Sequence, residues 1–159
     1  MKEDAEGLIK REEILKHSGL RGKHILDIGA GPLSIIAARD FNCRVTNIDI
    51  SESALRDAKR DAESEGVADR ITYELGDATS LRYGDASFDA VISYGALHHV
   101  EPDKRGEFVR EACRVARDKV IIAELNTVGF RRIHGYSSFK AVDLRWLKKE
   151  LSSFGVLEE

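Results

Sequence analysis

Three carboxylates stand where a folded chain can gather them. Asp27 lies in Ile25-Leu26-Asp27-Ile28, Asp49 ends Arg44-Val45-Thr46-Asn47-Ile48-Asp49, and Asp77 follows Ile71-Thr72-Tyr73-Glu74-Leu75 in Gly76-Asp77-Ala78. Each neighbouring run is short and apolar or β-branched, as strands are. In a parallel sheet the carboxyl ends of strands share one edge, so acids distant in sequence meet at one crevice. Between the first two acids, Gly29-Ala30-Gly31 is a paired-glycine turn leading from strand to helix, which brings backbone N–H groups close to a ligand. Asp49 stands 18 residues after Gly31, where a carboxylate can accept from two ribose hydroxyls. The plainer alternative is a helix-capping acid before Ser51. Asp77 can accept from an exocyclic adenine amino group, or else serve only as a turn residue. Asp27, just ahead of the glycines, would repel a pyrophosphate and attract an ammonium group.

The elements that position these residues alternate. Strands are expected at 25–28, 44–49, 71–75, 88–93 and 119–124. A peripheral helix is expected from about Ala5 to His17, ended by the Gly19 to Gly22 turn, and a short helix over 33–39. Ser51 can cap a helix whose Ala54, Leu55, Ala58 and Ala62 share a face. Pro102 suits the start of another, with Phe108, Val109, Ala112, Cys113 and Ala116 buried. Residues 126–139 read as less regular, followed by a helix with Leu144, Leu147 and Leu151 on one face and a final short strand in Gly155 to Glu158. Alternating strands and helices imply an α/β, doubly wound, mostly parallel sheet with helices on both faces and right-handed crossovers.

The 159 residues make one domain, 1–159, with 1–20 peripheral and 126–159 its variable part. With 42% hydrophobic and 33% charged residues the chain is an ordinary globular protein, and its net charge of −3 argues against a protein that coats nucleic acid. Cys43 and Cys113 have no short spacing and no Cys/His companions, so they read as buried bystanders and no metal site is expected. No apolar run reaches the roughly 18 residues that span a membrane, and Met1-Lys2-Glu3-Asp4 does not open a signal peptide; the expected compartment is the cytoplasm.

Asp27-Ile28-Gly29-Ala30-Gly31, Asn47-Ile48-Asp49-Ile50-Ser51, Gly76-Asp77-Ala78 and the run from Phe88 to Val100, in this order, resemble the consecutive motifs of class I S-adenosylmethionine-dependent methyltransferases. The resemblance runs from about Gly22 to Glu124 and is nearest to the group containing the ubiquinone- and menaquinone-biosynthesis enzymes and many small-molecule methyltransferases. It implies a Rossmann-like fold and methyl transfer from S-adenosylmethionine, leaving S-adenosylhomocysteine. It places Gly29, Ala30 and Gly31 under the methionine part of the cofactor, with Asp27 near its amino group. Asp49 would hold the ribose, Ile50 pack on the adenine, Asp77 and Ala78 read its edge, and Ser93 and Tyr94 close the site beside the sulfonium. One departure is Leu33, behind Pro32, where the family often has a third glycine; a side chain there is expected to crowd the approach of the helix, so that the cofactor sits slightly differently or binds more weakly. The family's sheet usually closes with a reversed strand pair, which here would be shortened, leaving an edge that a second copy of the chain could cover.

His98 and His99, just past the fourth strand, are the candidates for a base, with packing in the loop before Pro102 as the alternative. Methyl transfer depends mainly on orientation and needs a base only if the acceptor must lose a proton. Residues 131–149 carry Arg131, Arg132, Lys140, Arg145, Lys148 and Lys149 against Asp143, a local balance of +5 that suits an anionic acceptor or a solvated helix face. His134 and Tyr136 are candidates for the acceptor pocket, and Trp146 for the core. Two other functions compete: a non-catalytic cofactor-binding subunit, and a nicotinamide-dependent oxidoreductase, which the missing third glycine disfavours.

Overall fold

The computed structural model describes residues 9–135 and 137–159. Among these, the strands are β1 (His24–Ile28), β2 (Arg44–Asp49), β3 (Ile71–Leu75), β4 (Phe88–Tyr94) and β5 (Ala116–Ala123). They form one sheet in the order β3-β2-β1-β4-β5, and every pair is parallel. The helices are α1 (Arg11–Ser18), α2 (Pro32–Phe41), α3 (Glu52–Ser64), α4 (Arg105–Val115), α5 (Thr127–His134) and α6 (Leu144–Ser152).

Adjacent strand residues feed opposite cores. Ile25, Val45 and Ile92 pack with Leu15 of α1 and Leu33 of α2 on one face. Leu26, Ile28 and Val91 pack with Phe108 of α4 and Leu147 of α6 on the other. The two covered faces leave the inner strands β1, β2 and β4 almost continuously buried rather than alternating. Register levels the strand ends: Ile28 pairs with Ser93, which pairs with Ile122. The chain leaves β1 toward β2 on one side and the later strands add on the other. The reversal of strand order therefore falls between β1 and β4, the position at which open α/β sheets form a crevice.

Several expected boundaries shift. α1 begins at Arg11 instead of Ala5, and residues 5–8 of the expected helix lie outside the described residues. α2 starts on Pro32, whose missing N–H costs nothing at a first helical position, and runs to Phe41. The stretch expected to be irregular contains α5, capped by Asn126, whose side chain accepts the Gly129 N–H at 2.8 Å. No strand forms over Gly155–Glu158: Val156 is 96% exposed, and no neighbouring strand offers it a ladder. Trp146 packs against the α4–α6 core as expected, Cys43 is buried and Cys113 partly so.

Candidate functional site

Loops after all five strands meet at the carboxyl edge, and backbone bonds set their spacing. Gly29 N–H donates to Ile48 O at 2.8 Å, Gly76 N–H to Asp49 O at 3.0 Å, and Gly95 N–H to Ala123 O at 2.8 Å. Asn47, fully buried in β2, donates its amide to Asp27 O at 3.1 Å and Gly29 O at 2.9 Å, pinning the start of the glycine turn. Gly29 has φ +107°, and a methyl group on it would lie 3.2 Å from the Ala96 methyl, so glycine is required there. Gly31 is extended and caps α2, and a methyl group on it would meet nothing within 4 Å. It therefore borders open space at a helix N-terminus, where N–H groups face outward.

Asp49 joins two of these loops. One carboxylate oxygen accepts the Ala30 N–H and the other the Ser51 N–H, each at 2.8 Å. Each oxygen keeps a second lone pair, so the residue can still meet two adjacent hydroxyls. Ile50 beside it is 77% exposed, and Leu75 at the end of β3 is exposed as well, an apolar surface next to a polar anchor. Asp77 uses one oxygen to accept both the backbone N–H and the hydroxyl of Thr79, which hold its carboxyl below the usual range. The turn role is thus real, and the second oxygen remains for a ligand. Ala78 is buried behind it.

Asp27 is only 1% exposed and accepts the Ser34 hydroxyl at 2.5 Å. Burial pushes its carboxyl up to about 7, against the Ser34 bond and the more distant Arg11. It lies beneath the start of α2 rather than open on the crevice. Leu33 is buried in the α1–α2 core, so the side chain at the third-glycine position packs inward instead of crowding the crevice. Ser93 is fully buried, and its hydroxyl has no hydrogen-bond partner among the described residues. Tyr94 donates its hydroxyl to Ile9 O at 2.9 Å, and the Arg11 guanidinium lies 4.3 Å above its ring, so α1 is fastened against the site.

Beyond β4, His98 is buried and His99 exposed. Around them stand Phe130 and His134 of α5 and Phe139, with centroids 5.5, 4.6 and 6.3 Å from the His98 ring. Phe139 also meets His99 edge-on at 4.4 Å. Partial burial among these rings, together with the His98 imidazole, holds His99 and His134 below the ordinary histidine range. His134 thus joins the candidate acceptor wall, whereas Tyr136 lies outside the described residues. The basic residues of 131–149 are exposed; Arg145 pairs with Asp143 and Lys148 with Glu159.

Two residues escaped sequence reasoning. Glu124 follows β5 and bonds to the His98 loop, accepting the Leu97 N–H at 2.7 Å. Its signal was available, since it is a fourth acid at a strand's carboxyl end. Arg105, buried at the start of α4, donates to Val100 O at 3.0 Å, Ala141 O at 3.0 Å, Lys140 O at 2.6 Å and His98 O at 3.4 Å. Nothing in the sequence marks it, because its partners are backbone carbonyls, two in the preceding His98 loop and two in the remote 140–141 segment.

The residues fit S-adenosylmethionine. Asp49 keeps acceptor capacity beside exposed Ile50, Gly31 borders open space, and Ser93 Oγ is an orphaned buried donor. A methyltransferase-domain family model matches residues 25–119. The 27-O-demethylrifamycin SV methyltransferase of Amycolatopsis mediterranei (strain S699) is 42% identical over 98 residues, 60% of this chain and 35% of that protein. Norajmaline N-methyltransferase of Rauvolfia serpentina is 28% identical over 129 residues, covering 80% and 44%. A crystal structure from Bacillus halodurans C-125, provisionally described as a methyltransferase, superposes with a TM-score of 0.75 at 26% identity, over 94% of this chain and 70% of that one. The chain spans about a third to under a half of the length of the curated relatives it matches.

Proposed function

This chain belongs to the methyltransferase-domain family, and from that membership we propose that it binds S-adenosylmethionine in the β1–β4 crevice and methylates a small molecule. The observation that carries the reading is Asp49, a carboxylate at the end of β2 fixed by two backbone N–H groups, one of them in the glycine turn after β1, with a lone pair left on each oxygen. In this reading Asp49 holds the ribose hydroxyls, Ile50 covers the adenine, and Asp77 with the Ala78 N–H reads its edge. Gly29, Ala30 and Gly31 carry the backbone under the methionine part, and Asp27 offsets its ammonium group from beneath. Ser93 and Tyr94 wall the methyl end, and His98 stands nearest the acceptor as the candidate base. When bound, the cofactor supplies an electrophilic methyl group on a cationic sulfur that departs neutral. The protein's part is to align the acceptor and to exclude water.

Within the family, the Leu97-His98-His99-Val100 run favours the ubiquinone/menaquinone-type group. The exposed basic residues of 131–149 favour an acceptor carrying negative charge away from the reacting atom. The free thiols of Cys43 and Cys113 favour a reducing, cytoplasmic setting. β5 ends the sheet with its outer edge along a groove of about 1180 Å³, which favours a second copy of the chain as cover. Light scattering at micromolar concentration tests that last point, and a monomer refutes it.

Isothermal titration with S-adenosylmethionine, S-adenosylhomocysteine and NAD tests the central reading. Heat is expected with the first two and none with NAD. Silence with S-adenosylmethionine would overturn the assignment. Methyl transfer to a panel of small acceptors then distinguishes an enzyme from a binding subunit.

A further inference from the structure

The acids of this chain are unevenly spread. Residues 125–142 form a run of 18 without an Asp or Glu, the longest in the sequence, and Arg131, Arg132 and Lys140 fall within it. All three are exposed, and none has an ion-pair partner among the described residues; the pairs nearby are Arg145 with Asp143 and Lys148 with Glu159. The same stretch collects apolar surface. Val128, Ile133 and Phe139 are 69%, 54% and 40% exposed, whereas the other open apolar side chains flank Asp49 or lie in the C-terminal tail.

α5 has two different sides. Phe130 and His134, four residues apart, turn toward the His98 ring. Val128, Arg131 and Arg132, spaced i, i+3 and i+4, form a row on the outer side, an apolar group between two cations. Beyond the helix, Phe139 rests its ring on His99 and leaves the remainder open. Lys140 is tied through its carbonyl to Arg105 at 2.6 Å while the residue stays exposed. The surface is thus anchored to the fold from within and carries cations among apolar tips.

Each ingredient narrows the partner. Unpaired cations select negative charge, yet a dissolved anion would use them alone and leave the exposed Val128, Ile133 and Phe139 without a role. A protein interface gathers its apolar groups at a centre and its charges at a rim. Here the two kinds alternate on a convex helix. An anionic bilayer takes both at once, because Arg and Lys stems reach the headgroups while apolar side chains enter the acyl boundary.

We propose that the outer side of α5, together with Phe139 and Lys140, docks on the surface of an anionic lipid bilayer. The inference goes beyond the methyl-transfer reading and does not depend on it. The chain carries −3 overall, but charge is screened beyond about 8 Å at physiological salt, so the acid-free patch acts by itself once it faces the surface. The inner side of the same helix packs on His98, so docking brings that end of the crevice close to the lipid.

Flotation of the full chain with vesicles tests the proposal. Binding is expected to mixed phosphatidylcholine/phosphatidylglycerol vesicles and not to phosphatidylcholine alone. Salt at about 1 M, where the screening length falls to about 3 Å, should release the protein. Arg131→Gln and Arg132→Gln should each weaken binding about fivefold, the contribution of one cation near an anionic surface. Val128→Ser combined with Ile133→Ser should weaken it about tenfold without altering its response to salt. These positions are exposed, so melting temperatures should stay near wild type. Equal binding to both vesicle types, or none to the mixed vesicles, overturns the proposal. Wild-type affinity in the Val128→Ser/Ile133→Ser protein does so too, since the patch would then serve any anion. Release by inorganic phosphate at constant ionic strength would assign the patch to a soluble anion. Capture of poly-L-glutamate without vesicle binding would assign it to an acidic protein.

Discussion

Asp49, at the end of β2, accepts the backbone N–H of Ala30, in the turn after β1, at 2.8 Å. One acid thus shapes the glycine turn and, in the proposed reading, also contacts the ribose. Asp49→Ala should raise the dissociation constant for S-adenosylmethionine and S-adenosylhomocysteine at least about tenfold, the cost of a charge-assisted bond or more. Asp49→Asn should fall between, because only one of its two terminal atoms can accept an N–H. Calorimetry measures both, and wild-type affinity in the alanine variant would refute the role of Asp49.

Asp27 gives a pH signature. Its carboxyl, pushed up from 3.8 to about 7 by burial, binds its proton more tightly when folded than when unfolded. Its contribution to stability is therefore fully present below pH 3.8 and is lost as pH rises through 7. Asp27→Asn should thus gain stability relative to wild type between about pH 5 and 8, by up to about 4 kcal/mol. The same variant should bind S-adenosylmethionine less well, having lost the charge that offsets an ammonium group. Urea denaturation across pH checks the first outcome; a constant difference between the two proteins would contradict it.

Two glycines should respond differently to alanine. Gly29→Ala places a methyl group 3.2 Å from Ala96 on a backbone with φ +107°, so folding itself should suffer, by about 1–3 kcal/mol. Gly31→Ala meets no protein atom within 4 Å and should leave the melting temperature near wild type while weakening cofactor binding, because the methyl group enters the space assigned to the ligand. Calorimetric melting and ligand titration separate the two cases. Equal loss of stability in both would argue against that space as a cradle.

Arg105 fastens the His98 loop to the segment before α6 through four backbone carbonyls. Arg105→Met keeps the buried stem and leaves those carbonyls without their donors, and should cost about 2–3 kcal/mol. Amide exchange should quicken most at Val142, the buried residue next to Ala141. Affinity for S-adenosylhomocysteine should change little, since Asp49 and the glycine turn lie elsewhere. A uniform rise in exchange across the sheet would show that Arg105 does not act as a local latch.

Much of this frame was legible because its causes are local. Ser51 reads as a cap and is one, accepting the Ala54 N–H at 3.2 Å. The helical spacing of Leu55, Ala58 and Ala62 buries all three. Asp27, Asp49 and Asp77 occur at adjacent strands because parallel pairing leaves them no other edge. The rest depends on contacts that sequence spacing does not encode. α5 is short, with Gly129 inside and Val128 and Ile133 β-branched, so its propensity is weak; its Asn126 cap and the burial of Phe130 supply the support. Glu124 meets His98 through the register of β4 on β5, and Leu33 turns inward because of how α2 packs. Gly155 to Glu158 has strand composition but no partner to pair with.

The close approach of Gly29 to Ala96 has a thermodynamic consequence. A methyl group on Gly29 would crowd the Ala96 methyl at 3.2 Å, and Ala96 immediately precedes Leu97, whose N–H is held by Glu124. A ligand that displaces the glycine turn must therefore displace the frame on which His98 is mounted. Occupancy of one half of the crevice and occupancy of the other are then linked functions, and whatever factor the first ligand imposes on the second is returned in equal measure.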